Sequence, residues 1–226
     1  MIRDYHWRDK ILRLDSAEWH THQNILAGDE YSIGPLIEAN ATLDVVIDVG
    51  ANIGAFAVMV ATYWPEATVY AIEPHPETFS LLEHNAAQCG NIVPIHAAIT
   101  ARRCDVSLTN EPQSTGNRVG EIWHALDNRA DILGLRVPGL SIMDVIDDYD
   151  ITRCDLLKCD CEGGEYVLFE QLANAGWLNN VGWIRGEWHH RLSNKRLRAA
   201  LRKTHRLSID NNMPHDVGPF IAHRRS

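Results

Sequence analysis

The chain places a glycine-rich turn directly after an apolar strand, in the stretch Val46-Ile47-Asp48-Val49-Gly50-Ala51-Asn52-Ile53-Gly54. Glycine in such a turn allows a tight bend and lets a ligand approach the backbone closely. The helix expected after the turn points its free backbone N–H groups at the same place, where they can bind a negatively charged group. A strand, a glycine-rich turn and a helix in this order indicate a ligand site at one edge of a parallel sheet.

Apolar runs alternate with helical patterns on both sides of this turn. The five runs predicted as strands are Leu43–Val49, Thr68–Glu73, Ile92–Ala98, Asp155–Asp160 and Val181–Trp188. The predicted helices are Ala55–Trp64, a helix from Pro76 that ends before Gly90, Gly164–Ala175, and Ser193–Lys203 with Ser193 as its cap. An antiparallel pair, Arg206–Asp210 and Phe220–His223, is predicted to close the sheet.

This alternation predicts a doubly wound, Rossmann-like α/β fold with helices on both faces of the sheet. We expect a mostly parallel, seven-stranded sheet with one antiparallel edge strand. Residues 1–40 are predicted to form a small N-terminal cap, and residues 41–226 the ligand-binding domain. The segment 102–136 has few strong patterns, and Gly116, Asn117 and Gly120 there indicate either a substrate loop or a poorly ordered one.

Composition limits the classes of function. The net charge of −9 disfavours a nucleic-acid track, which needs a basic surface. No apolar run approaches the roughly 18 to 20 residues that cross a bilayer, and the first residues lack the apolar core of a signal peptide. We therefore expect a cytoplasmic protein without nucleic-acid or membrane partners. The odd number of cysteines, five, favours small buried side chains over a disulfide framework.

A carboxylate ends the second predicted strand at Glu73, at the edge where parallel strands place their ligands. It is positioned to accept two hydrogen bonds from ribose hydroxyls. A nicotinamide enzyme would use such a residue too, but the glycine spacing here is Gly-x-x-x-Gly rather than Gly-x-Gly-x-x-Gly. Asp48 also puts a negative charge beside the turn, which suits a cationic amino acid or sulfonium ligand better than a pyrophosphate.

Four stretches resemble the FkbM-type methyltransferases. Val46–Gly54 is similar to their cofactor loop, and Ala71–Pro74 to their second motif. Ser141–Ile146 is similar to their short helix before the fourth strand, and Asp155–Glu165 to their most distinctive block. That family usually has branched apolar residues at two positions of this block, where the chain has Cys159 and Cys161.

The resemblance implies a class I methyltransferase fold with S-adenosylmethionine as the methyl donor, and usually a hydroxyl as the acceptor. It implies that Asp48 helps to bind the donor's amino group, that Glu73 holds its ribose, and that its adenine lies near Ala98. The residues implied to line the methionine end are Gly50, Ala51, Asn52 and Gly54.

Carboxylates and imidazoles follow the fourth and fifth strands, where the resemblance places the donor's methyl group. Asp160 lies at the carboxyl end of the fourth strand, and Glu187 and His189 lie at the end of the fifth. A hydroxyl loses its proton as it attacks the methyl carbon, and a positioned base accelerates such a step about 10²- to 10⁴-fold. We favour a metal-free scheme in which His189 is the base and Asp160 or Glu187 orients it. A divalent cation held by the same residues is the alternative. Lys158 is expected to be a paired charge in the sheet, and Glu165 to cap or pair on a helix surface.

The acceptor is expected to be a small hydroxylated molecule such as a sugar or a natural product. Two alternatives stay open. One is N- or C-methylation on the same fold, because a fold does not fix the acceptor. The other is a catalytically inactive module that only binds the cofactor, against which the intact acid–imidazole cluster argues.

Overall fold

The computed structural model describes residues 1–16, 19–27, 30–108, 134–209 and 217–225. Gly116, Asn117 and Gly120, for which we predicted a substrate loop, lie outside these residues. Within the described ranges, no helix is long and apolar enough to cross a membrane. All five cysteines are free thiols, of which Cys89, Cys154 and Cys159 are buried and Cys104 and Cys161 are partly buried.

The central sheet has seven strands and is mostly parallel, as predicted. The strands of the described chain are β1 (Ile2–Trp7), β2 (Lys10–Asp15), β3 (Val45–Val49), β4 (Thr68–Glu73), β5 (Ile92–His96), β6 (Ala98–Ile99), β7 (Cys104–Leu108), β8 (Leu135–Leu140), β9 (Cys154–Cys159), β10 (Val181–His189), β11 (His205–Ile209) and β12 (Val217–Arg224). The order in the central sheet is β5-β4-β3-β9-β10-β12-β11. β12 is the one strand of this sheet that runs in the direction opposite to the other six. It lies second from the edge rather than at the edge, because β11 pairs with its outer side.

Helices cover both faces of this sheet. They are α1 (Trp19–Ala27), α2 (Gly34–Glu38), α3 (Ala55–Tyr63), α4 (Pro76–Ala86), α5 (Ile142–Asp148), α6 (Glu165–Asn174) and α7 (Arg191–Leu201). Successive side chains of β3 enter two separate cores: Val46 lies in the core of α3 and α4, and Ile47 and Val49 lie in the core of α5 and α6. Burial on both faces is why the strand has a continuous apolar sequence rather than an alternating one.

The third predicted strand, Ile92–Ala98, is in fact two strands. β5 ends at His96, and Ala98 begins β6, which belongs to a second sheet of order β6-β8-β7. The N–H of Ala97 donates to the carbonyl of Ile95, so the chain turns here out of the central ladder. An apolar run continues through the bend, which is why hydrophobicity alone did not reveal the break.

The last helix also begins earlier than predicted. α7 starts at Arg191, so Ser193 lies inside the helix and is not its cap. The chain enters the helix through His190, whose φ of 74° is left-handed. The carbonyl of His190 accepts the N–H of Asn194, which closes the first turn.

The described part of residues 1–40 contains the hairpin β1–β2 and helices α1 and α2, which pack on the face covered by α3 and α4. Leu12 and Leu14 of β2 are fully buried in that core. Asn85 of α4 accepts the N–H of Arg13 at 2.7 Å and donates to the carbonyl of Arg13 at 3.0 Å. The segment is therefore docked as an extra layer, and its separation from residues 41–226 as a cap stays a prediction.

A buried ion pair joins the two central strands. Asp48 of β3 is the register partner of Lys158 of β9, and Lys158 Nζ lies 3.1 Å from Asp48 Oδ1. Burial alone would lower the pKa of Lys158, but the carboxylates of Asp48 and Asp160 raise it, so the lysine stays charged. The ammonium also donates to the carbonyl oxygen of Gly50 at 2.5 Å. Lys158 is thus the paired charge that we predicted, and it ties the glycine-rich turn to β9.

Two glycines let the neighbouring chain approach the end of β9. A Cβ on Gly50 would overlap the carbonyl oxygen of Asp160, and a Cβ on Gly186 would overlap the carbonyl oxygen of Cys159. Gly50 also has a φ of 74°, which other residues rarely adopt. The strand end that carries Asp160 is therefore held between two positions that only glycine fits.

Asp48→Asn should lower the free energy of unfolding by about 3 to 5 kcal/mol, because it leaves Lys158 charged and unpaired inside the sheet. Urea denaturation measures the change. Asp44→Asn is the matched control: it removes an exposed pair with Arg153 and should cost at most about 1 kcal/mol. Equal effects of the two substitutions would contradict a charged Lys158.

Gly186→Ala should destabilise the protein by about 1 to 3 kcal/mol, because the added methyl overlaps backbone that belongs to the neighbouring strand. Gly90→Ala is the control, since a Cβ there meets nothing within 4 Å. Thermal or urea unfolding compares the two. A Gly186→Ala variant as stable as Gly90→Ala would mean that β9 and β10 can separate at little cost.

Candidate active site

A cavity opens at the carboxyl ends of β3, β4, β9 and β10, where parallel sheets place their ligands. One wall is the turn after β3 together with Glu73, and another wall is acidic. The acidic wall consists of Asp160, Glu162 and Glu187. The N-terminal segment contributes Thr21, His22, Ile25, Glu30 and Tyr31.

The residues assigned to the cofactor divide into two groups. Five of them line the cavity: Gly50, Ala51, Asn52, Glu73 and Ala98. Asp48 and Gly54 lie behind this lining. Asp48 is fully buried against Lys158, and Gly54 begins α3 with a φ of 85°, close against Leu82.

Glu73 fixes the shape of the turn as well as facing the cavity. Its Oε2 accepts the N–H of Asn52 and its Oε1 accepts the N–H of His75, each at 2.9 Å. Each carboxylate oxygen can accept a further hydrogen bond. Burial raises the pKa of Glu73 to about 7, although these two N–H groups act to lower it.

Tyr31, far away in the sequence, holds Asp160 in place. Its hydroxyl donates to Asp160 Oδ2 at 2.7 Å. Burial and the negative charge of Asp160 raise the pKa of Tyr31 well above its usual value, so the phenol keeps its proton. Lys158 Nζ lies 5.2 Å from the centre of the same ring. Sequence reasoning missed Tyr31 and its neighbour Glu30, because they belong to no motif and only the fold brings them here.

His189 is oriented by a buried carboxylate. Its Nδ1 donates to Glu165 Oε1 at 3.0 Å. We had expected Glu165 on a helix surface, but it is fully buried. The same Oε1 accepts the N–H groups of Cys161 and Gly163, which fixes it in turn. Burial alone would lower the pKa of His189, but Glu165, Asp160 and Glu162 outweigh that effect and raise it to about 10. His189 is therefore a cation at neutral pH in this arrangement and cannot accept a proton.

The three residues predicted to do the chemistry come together. One ligand-type atom each of Asp160, Glu187 and His189 lies within 4.8 Å of the others. His189 Nε2 is 3.7 Å from Asp160 Oδ1 and 3.8 Å from Glu162 Oε2. Burial and the nearby charge of Asp160 raise the pKa of Glu187 to about 7. The wall thus combines proton acceptors and cation ligands at one edge of the sheet.

Comparison with known proteins gives the fold and the family. Residues 48–208 match the family described as the Methyltransferase FkbM domain. The hexuronic acid methyltransferase AglP of Haloferax volcanii is 26% identical over 165 residues, which are 73% of this chain and 64% of that protein. The match therefore spans less than two thirds of the Haloferax relative. Methyltransferase 1 of Beauveria bassiana is 25% identical over 179 residues, 71% of this chain and 70% of that protein.

The fold alone is shared with the solved structure of the METTL16 methyltransferase domain. The two superpose with a TM-score of 0.50 at 14% sequence identity, over 85% of this chain and 64% of that one. The Rossmann-like class I methyltransferase architecture expected from the sequence is thereby confirmed. Since the family match covers well over half of the residues, the chain belongs to the FkbM methyltransferase domain family.

Proposed function

We propose that this chain is an S-adenosylmethionine-dependent methyltransferase that transfers the methyl group to a hydroxyl of a small polar acceptor. The observation that carries this proposal is a single cavity with two chemically different walls. The glycine-rich turn and Glu73 form one wall, and Asp160 and Glu187 form the other. A donor on the first wall would present its methyl group to an acceptor on the second.

The first wall suits the donor. The carboxylate of Glu73 can accept hydrogen bonds from the two ribose hydroxyls, and Ile72, Ala97 and Ala98 provide an apolar surface for the adenine. The backbone of Gly50, Ala51 and Asn52 would contact the methionine end. Burial of Asp48 against Lys158 favours an indirect role for this aspartate: it holds the lysine that donates to the carbonyl of Gly50.

The second wall suits deprotonation of a hydroxyl. The acceptor oxygen attacks the methyl carbon, the carbon–sulfur bond breaks, and its electron pair stays on sulfur. The hydroxyl proton passes to a carboxylate, and we assign this step to Asp160 or Glu187 because both line the cavity. His189 lies behind them, with its Nδ1 donating to Glu165, so we assign it to positioning rather than to proton abstraction.

The acidic wall also restricts the acceptor. The side chains of Glu30, Asp160, Glu162 and Glu187 would repel an acceptor carboxylate and would accept hydrogen bonds from hydroxyl groups. The name of the Haloferax relative, a hexuronic acid methyltransferase, supports a sugar as the acceptor. We therefore favour a neutral sugar or polyol whose hydroxyls face this wall.

The affinity for S-adenosylhomocysteine, the demethylated product, should increase from about pH 6 to about pH 8. Burial raises the pKa of Glu73 to about 7, so in the lower part of this range its carboxyl group is protonated and offers fewer acceptors to the ribose. Titration calorimetry across the range measures the trend. Glu73→Gln should bind about 1.5 to 3 kcal/mol more weakly and without the trend. A pH dependence that persists in Glu73→Gln would assign the titration to another group.

Asp160→Asn should reduce turnover by about two to four orders of magnitude while S-adenosylhomocysteine still binds, because the residue lies on the acceptor wall. A radiolabelled methyl-transfer screen over sugars, phenols, amines and peptides identifies the acceptor first and tests N-methylation alongside. Asp105→Asn is the control, since Asp105 is exposed on β7. Near-normal turnover in Asp160→Asn would remove this residue from the chemistry, and cofactor binding without transfer to any acceptor would favour the inactive module.

A further inference from the structure

We propose that Asp160, Glu187 and His189 bind a divalent cation of the Mn²⁺ and Mg²⁺ class on the acidic wall of the cavity. Its catalytic role, to bind the acceptor hydroxyl, rests on the proposed function; the ion site itself does not. This reverses the metal-free preference drawn from the sequence, and the reason is the arrangement of the side chains around His189.

The ligand atoms are already close to the spacing that one ion requires. Asp160 Oδ1 and His189 Nε2 are 3.7 Å apart, and the three ligand atoms lie within 4.8 Å of one another. Around an octahedral ion with bonds of about 2.1 Å, neighbouring ligands are about 3 Å apart and opposite ligands about 4.2 Å apart. Small side-chain rotations would therefore bring all three into coordination.

The sheet fixes this spacing. Cys159 of β9 and Gly186 of β10 are register partners. Asp160 directly follows the end of β9, and Glu187 is the next residue of β10. The close approach that Gly186 allows keeps the two strands together. Glu187 and His189 thus stand on a strand, and Asp160 stands directly after its neighbour.

A second layer of hydrogen bonds orients two of the ligands. Glu165 accepts from His189 Nδ1 at 3.0 Å, which leaves Nε2 directed at Asp160 and Glu162. Tyr31 donates to Asp160 Oδ2 at 2.7 Å, which leaves Oδ1 on the side of His189. A carboxylate behind the ligating histidine is a recurring feature of metal sites, because it fixes the ring and its tautomer.

The acidic wall has an excess of negative charge that favours binding of a cation. Four carboxylates surround one imidazole: Asp160, Glu162, Glu165 and Glu187. The nearby ammonium of Lys158 is already paired with Asp48. Even with His189 protonated, these carboxylates outnumber the positive charge beside them, and partly buried carboxylates at this density are costly unless a further cation joins them. A bound ion would take the place of the proton on His189 Nε2, because an imidazole binds a metal only through a deprotonated nitrogen. Two carboxylates that line the cavity and one imidazole behind them match Mn²⁺ or Mg²⁺ with water or acceptor oxygens in the remaining positions.

The ion would supply what a bare carboxylate lacks. A hydroxyl bound to a divalent cation loses its proton far more readily than a free one, and the ion also orients it toward the methyl group. Asp160 and Glu187 would then act as ligands with a nearby oxygen to receive the proton.

Direct binding of Mn²⁺ tests the site without any acceptor. The full chain, stripped with EDTA and dialysed, is titrated with Mn²⁺, and the loss of the free-ion EPR signal counts bound ions. We expect one saturable ion per chain, with a nitrogen coupling from His189 in pulsed EPR. Asp160→Asn and Glu187→Gln should weaken binding at least about tenfold, and Glu165→Gln about 10- to 100-fold. Asp105→Asn, exposed on β7, should bind like wild type.

Circular dichroism checks that each variant is folded, and Glu187→Gln, at a partly exposed position, is the variant least expected to disturb the fold. Absence of saturable Mn²⁺ binding, or wild-type affinity in folded Asp160→Asn and Glu187→Gln, would overturn the site. The methyl-transfer assay separates the two proposals. Full activity in EDTA would overturn the catalytic role of the ion and leave the methyltransferase, whereas Mn²⁺ binding without transfer to any acceptor would leave the site and overturn the proposed function.

Discussion

The buried ion pair between Asp48 and Lys158 is the interaction on which the rest of the site depends. It links the strand before the glycine-rich turn to the strand before Asp160, at the centre of the sheet. The same ammonium donates to Gly50 and lies beside the ring of Tyr31, which holds Asp160. One buried lysine therefore sets the donor turn and the acidic wall relative to each other. A charge this deeply buried is costly unless it is paired. Loss of the Asp48–Lys158 pair would therefore disturb both walls of the cavity.

Around this centre, the polypeptide separates two electrostatic environments. On the wall proposed for the donor, Lys158 balances the charge of Asp48, and backbone N–H groups donate to the carboxylate of Glu73. The acceptor wall has an excess of negative charge, organised around His189. A cationic sulfonium would thus face the negative wall across the cavity, which favours its entry and orientation. The same field attracts a metal ion or a hydroxyl donor and repels an anionic acceptor.

Sequence patterns predicted the parts of the protein that follow from local chemistry. The turn after β3, the position of Glu73 at a strand end, and the meeting of Asp160 with Glu187 and His189 all follow from strand order and the common edge of a parallel sheet. The patterns could not show that β12 lies between β10 and β11, because either strand of an antiparallel pair can be the one at the edge of the sheet. They could not reveal that Asp48 pairs with Lys158, which lies three motifs further along the chain. They missed Tyr31 because its contact with Asp160 joins residues that are distant in the sequence.

The N-terminal segment that carries Tyr31 also bears on the choice of acceptor. The family match begins at residue 48, yet part of the cavity wall comes from Thr21, His22, Ile25, Glu30 and Tyr31. The donor turn and the acid–imidazole cluster lie inside the matched region, so family membership bears on the reaction. The cavity residues of the N-terminal segment lie outside it, on a segment docked to α4 through Asn85. We therefore propose that acceptor choice resides partly in lining side chains of this segment such as Thr21 and Glu30, whereas Tyr31 also holds Asp160 and is part of the site itself.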